Sequence, residues 1–114
     1  FDRNRERNPG LGHIVFLNGV FMSKLSREAI AEKLEGFEGW ELDSGRLRKK
    51  LEFEDFNEAL QLVNEVGSLA DKINHHPDMT LQNYNEVIVE TTTHSEESIT
   101  EKDFRLLEGI EDIS

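Results

Sequence analysis

The chain has no cysteine. That absence removes disulfides, thiolate nucleophiles and cysteine-type zinc sites together, and it fits a reducing, cytoplasmic setting. Long apolar runs are missing as well. None approaches the roughly 18–20 residues needed to cross a bilayer. The opening stretch FDRNRERNPGLGHIVFLNGVF has its short apolar run broken by Asn18 and Gly19, and it lacks the small-residue cleavage site of a secretory signal. Positive charge is scarce: 13 Lys and Arg stand against 24 Asp and Glu, a formal net charge of −11. Such a field repels phosphate backbones. Basic residues concentrate only at Arg3/Arg5/Arg7 and Arg46/Arg48/Lys49/Lys50. Neither group is interleaved with aromatics as single-strand binders require. Neither a nucleic-acid partner nor a membrane is expected.

What is present fits one domain. At 114 residues the chain is long enough for one modest core. Residues 1–21 are expected to be a leader or an added extension, with Met22 as the natural start of a single domain over 22–114. An edge strand at His13–Leu17 is the competing reading. Ser26 can cap a helix over 26–35 that Gly36 ends. GWELDSGRLRKKLEFED reads as a hairpin turning at Asp43-Ser44-Gly45. Asp55 and Glu58 open the strongest helix, whose apolar residues from Phe56 to Ile73 recur at helical spacing. Gly67 inside it is expected to admit the close approach of a strand or helix. Pro77 is expected to stop it by disfavouring the helical region at His76. MTLQ and YNEVIVETTTH read as strands, with Val87, Val89 and Thr91 on one face. Thr100 caps a last helix with Asp103 at its third position. The order helix-strand-strand-helix-strand-strand-helix implies an α+β fold, a four-stranded antiparallel sheet with helices packed on one face.

The stretch DKINHHPDMT holds two of the four histidines, side by side. His75 is expected at the C-terminal end of this helix, where the macrodipole favours cations, and Asp71 stands four residues earlier on the same face. Both effects favour the imidazolium form of a group that titrates near neutrality, where acid/base catalysts work best. Pro77 pushes His76 off the helix, so the two rings splay. The plain alternative is a histidine that merely caps its helix. His94 closes the strand ending Thr-Thr-Thr-His, where a side chain leaves the sheet for a cleft. Tyr84 is either core with its hydroxyl at the surface or a stacking surface for a planar ring. Adjacent histidines diverge and suit a shared metal ion poorly, and no His-x-x-x-His element is present.

Together these residues resemble the pterin-4a-carbinolamine dehydratase family. The family motif is an acidic residue, three spacers, His-His-Pro, then an aromatic, a histidine and an aspartate at set distances. Asp71, His75-His76-Pro77, Tyr84, His94 and Asp103 match it. GWEL, FEDFNEAL, VGSLADKINHHPD, YNEV, TTTH and TEKDF extend the likeness from about Leu25 to Ile113. The resemblance implies expulsion of the 4a-hydroxyl of a tetrahydropterin as water, giving quinonoid dihydropterin, with no metal or other cofactor because the pterin is the substrate. It implies His75 and His94 as an acid/base pair and His76 as a substrate-positioning group. Asp71 would orient and charge His75, and Asp103 would support His94 or the pterin end of the cleft while still capping its helix. It also implies a homodimer or homotetramer. An alternative is a non-catalytic interaction module on the same scaffold. One departure stands out: where the family carries Gly-Gly, this chain reads Ser95-Glu96-Glu97.

Overall fold

A computed structural model describes residues 24–94 and 98–114. The leader, the strand expected at His13–Leu17, and Ser95-Glu96-Glu97 lie outside the described residues. Helix α1 (Arg27–Leu34) starts where Ser26 accepts a hydrogen bond from the Ala29 amide at 3.1 Å. Helix α2 (Phe56–Ile73) starts where Asp55 accepts from the Glu58 amide at 2.9 Å, while the Glu58 carboxylate reaches back to the Glu54 amide at 3.1 Å. The far end of α2 is set by Asn74, not by Pro77. Asn74 takes left-handed angles (φ 57°, ψ 45°), and its amide and that of His75 both reach the Ala70 carbonyl. Asparagine tolerates that conformation and is a common helix terminator.

Strands β1 (Glu41–Asp43) and β2 (Arg46–Glu52) are joined by Ser44 and Gly45 at φ 54° and 80°. A two-residue loop left-handed at both positions matches the natural twist of a hairpin. Strands β3 (Asp78–Gln82) and β4 (Glu86–Thr91) form the second hairpin, with Asn83 and Tyr84 at φ 50° and 58°. The Asn83 amide, then that of Gln82, donates to the Glu86 carboxylate and holds its pKa down to about 2. The hairpins join along β2 and β4, giving the antiparallel order β1-β2-β4-β3. This is the expected α+β architecture and element order.

Alternation along β4 sends Val87, Val89 and Thr91 inward, with Leu47 beside them from β2. Ala59, Leu62, Val66 and Ala70 of α2 and Leu106, Leu107 and Ile110 of α3 (Glu101–Ile113) complete the core. The four basic residues around β2 are all engaged with carboxylates. Arg46 meets Asp78 at 2.8 Å, Arg48 meets Glu90 at 3.5 Å, Lys49 meets Glu111 at 3.1 Å and Lys50 meets Glu86 at 3.7 Å. They therefore present no uncompensated basic patch. Among the described residues no helix is long and apolar enough to cross a membrane.

Gly67 does not serve the close approach expected of it. A Cβ built there meets nothing within 4 Å, whereas one on Gly109 of α3 falls 2.5 Å from Leu69 Cδ2 of α2. The tight contact is therefore between α2 and α3, and Gly109 is the residue that permits it. Gly67→Ala is expected to stabilise the chain by about 0.5–1 kcal/mol through helix propensity. Gly109→Ala should forgo that gain because Leu69 must leave its rotamer. Urea denaturation of both variants checks this; equal gains would mean that α2 and α3 are not closely packed there.

Candidate active site

The site grows out of the end of α2. Once Asn74 has reversed the chain, His75 turns inward; its side chain is 10% exposed. Its Nε2 lies 2.7 Å from Oδ1 of Asp103, which is fully buried in the first turn of α3. Asp103 is also the capping-box partner of Thr100, whose amide donates to Oδ2 at 3.0 Å. The Thr91 hydroxyl donates to Oδ1 at 2.6 Å and that of Thr93 to Oδ2 at 2.7 Å. A buried carboxylate is tolerated only when its oxygens are satisfied. Here three donors and the His75 ring nitrogen occupy them.

The carboxylate partners differ from those expected. Asp71 pairs with His76, Oδ1 to Nε2 at 2.8 Å, and not with His75. The four-residue spacing from Asp71 to His75 places both on one face only while the helix continues, and α2 ends at Ile73. Asp103, expected beside His94, lies against His75, and it does cap its helix as expected. The two histidine–carboxylate pairs sit in different surroundings. The outer pair is open to solvent, with side-chain exposures of 59% for His76 and 81% for Asp71. The inner pair is nearly dry.

His94 is exposed and directly follows Thr93. Thr93 bonds the same carboxylate as His75, so His94 leaves the chain at the corner where that network lies. The hairpin explains the approach. Asp78 faces Glu90, which brings the segment before β3 level with the segment after β4. Pro77 sits just ahead of β3, an edge strand, where a missing amide proton breaks no ladder bond. Tyr84 is not brought to this corner. It lies in the turn at the opposite end of the hairpin, 62% exposed. The length of β4 alone separates those ends by about 17 Å. Among the described residues no cluster of three or more histidines and carboxylates is placed to hold a metal ion.

Thr91 and Thr93 were not singled out as site residues by sequence reasoning. One signal was available: Thr91 shares the inward face of β4 with Val87 and Val89, and an inward hydroxyl must find a partner.

A family model described as pterin 4 alpha carbinolamine dehydratase matches residues 23–113. The chain belongs to that family. The match takes in every element from α1 to α3 and the whole histidine–aspartate corner. Among similar proteins, one from Sulfolobus acidocaldarius is 39% identical over 90 residues, covering 79% of this chain and 98% of that protein. One from Sulfurisphaera tokodaii is 40% identical over 92 residues, covering 81% and 98%. Both are provisionally named pterin-4-alpha-carbinolamine dehydratases. A crystal structure described as a transcriptional coactivator/pterin dehydratase from Brucella melitensis matches with TM-score 0.75 and 28% identity, covering 80% of this chain and 98% of that one.

The contrast between the pairs predicts their contributions to stability. Asp71→Asn should change stability by no more than about 1 kcal/mol, as for other solvent-exposed ion pairs. Asp103→Ala should cost about 3 kcal/mol or more, because it strands several buried donors at once. Urea denaturation curves of the two variants provide the comparison.

Proposed function

We propose that the protein is a hydro-lyase that dehydrates a 4a-hydroxytetrahydropterin to the quinonoid dihydropterin. The observation that carries this reading is the bond from His75 to a buried, fully satisfied carboxylate within a family-matching chain. The reaction is redox-neutral. The C4a–O bond breaks as the hydroxyl takes a proton and leaves as water. The neighbouring N5 gives up its proton, and its electron pair forms the new C4a–N5 double bond. The protein therefore has to supply one proton and accept one, which imidazoles do well near neutral pH. No metal or redox cofactor is called for.

In this scheme His75 and His94 exchange those protons. Asp103 anchors His75, a fixed orientation that shortens the path to the reactive geometry. His76, held only by a solvent-exposed partner, is free to turn towards the ring system and position it. Pro77 supports the site by setting the path from His76 into β3, whereas Tyr84, at the far end of the hairpin, takes no part at this corner within one chain. The absence of cysteine agrees with work in a reducing, cytoplasmic compartment.

The test follows quinonoid dihydropterin formation from synthetic carbinolamine. His75→Ala is expected to lower turnover by about 10²–10⁴-fold, the usual yield of general acid/base help, while the protein stays folded. His94→Ala should also lower turnover. Equal rates in wild type and both variants, matching the uncatalysed background, would reject catalysis and favour a non-catalytic interaction module.

The chain is also proposed to self-associate as a homodimer or homotetramer. Phe56 and Leu60 of α2 are 48% and 39% exposed and lie one turn apart, with Val63 next along the stripe. A second copy of the chain is the proposed cover, since a stripe on one helix can meet itself across a two-fold axis. Light scattering at micromolar concentration should report a mass above 13.1 kDa. Leu60→Glu should lower that mass to the monomer's, and a monomeric wild type would reject the assembly.

A further inference from the structure

We infer that Thr91 and Thr93 are positioning residues: their hydroxyls hold Asp103 so that His75 keeps a proton on Nε2 and works through Nδ1. This rests on the dehydratase reading and adds to it the residues and the atom involved.

Oδ1 of Asp103 receives His75 Nε2 at 2.7 Å and Thr91 Oγ1 at 2.6 Å. Oδ2 receives Thr93 Oγ1 at 2.7 Å and the Thr100 amide at 3.0 Å. The amide can only donate. Thr93 Oγ1 also lies 2.8 Å from Thr100 Oγ1. A hydroxyl has one proton to give, and that of Thr93 goes to Asp103. The Thr100 hydroxyl must therefore donate to Thr93, while it accepts from the Lys102 amide at 3.2 Å. Every proton in this chain points towards the carboxylate. With a donor aimed at each of its oxygens, the carboxylate is placed to accept from Nε2. Nε2 must then carry the proton it shares with Oδ1, which leaves Nδ1 as the only nitrogen able to exchange one with a substrate.

Plain core packing does not account for the hydroxyls. Thr91 is 1% exposed on the inward face of β4, where Val87 and Val89 stand at the other positions. Valine would fill the same volume. What threonine adds is a donor on the very oxygen that receives His75. Thr93, 4% exposed, secures the other oxygen and so fixes the rotation of the carboxylate.

If a donor is lost, the carboxylate is free to rotate away from Nε2. The ring is then no longer held with its proton there, and a proton on Nδ1 blocks the base. Long-range proton–nitrogen NMR of the free protein reads that tautomer directly. The wild-type His75 ring is expected to show Nε2–H. Thr91→Val and Thr93→Val should each raise the Nδ1–H share and lower kcat by about tenfold with KM little changed. Thr91→Ser, which keeps the hydroxyl, should restore both. A wild-type ring protonated on Nδ1 overturns the inference. Folded valine variants with unchanged ring shifts and kcat also overturn it, as does failure of serine to rescue. If Thr91→Val does not fold, the wild-type ring and Thr93→Val decide. A wild type that shows no turnover counts against the dehydratase reading alone, and the ring shifts still decide on the role of the two threonines.

Discussion

One buried carboxylate ties the architecture together. Asp103 sits at 0% exposure in the first turn of α3, and its partners come from three places in the chain. His75 reaches it from the end of α2, Thr91 and Thr93 from the end of β4, and Thr100 from the cap of its own helix. Removing a charge from water costs several kcal/mol, and good geometry with full hydrogen bonding is what offsets that cost. The same geometry fixes where α2 stops, where β4 ends and where α3 begins relative to one another. Leu106, Leu107 and Ile110 continue α3 into the core and hold the helix that carries the carboxylate. In this protein the packing of the fold and the alignment of the site are one arrangement.

Charge elsewhere is organised differently. Arg48 and Lys50 pair with Glu90 and Glu86 on the neighbouring strand β4, and Arg46 reaches past β4 to Asp78 on β3, where water screens them and each pair contributes little. They blunt what would otherwise be a basic stripe and leave the chain strongly acidic. An acidic surface repels a polyanion but is nearly indifferent to a neutral bicyclic heterocycle. That asymmetry fits a pterin ring better than a phosphate-rich ligand.

Much of this was legible in local chemistry. Helical spacing from Phe56 to Ile73 marked α2, Thr100 and Asp103 marked a capped helix, and Ser44-Gly45 marked a hairpin. The parts that were not legible depend on where chains meet. Asp71 and His75 have helical spacing, but one left-handed residue, Asn74, cancels the relation and hands Asp71 to His76. Gly67 and Gly109 look alike in a sequence, and only the crossing of α2 with α3 distinguishes open space from contact. Tyr84 belongs to the same linear motif as the histidines. Yet an antiparallel hairpin brings its two outer ends together and sends its turn away, so Tyr84 lies far from His75 within one chain. The threonines of TTTH gain meaning only when α3 delivers a carboxylate to them.

The doublet shows how one turn of backbone can give identical side chains different chemistry. His75 and His76 are neighbours, and each has a carboxylate at bonding distance. Water separates their behaviour. The outer pair lies in a high dielectric, where its attraction is weak, salt-sensitive and easily exchanged for a bond to an arriving ligand. The inner pair lies where the same bond is stronger and cannot be replaced by water. His75 therefore arrives at any reaction with its ring already oriented, while His76 keeps the freedom to adjust. In the dehydration proposed above, a fixed ring would serve proton exchange and a mobile one a contact that follows the substrate as it flattens. The reversal at Asn74 supplies them from consecutive residues.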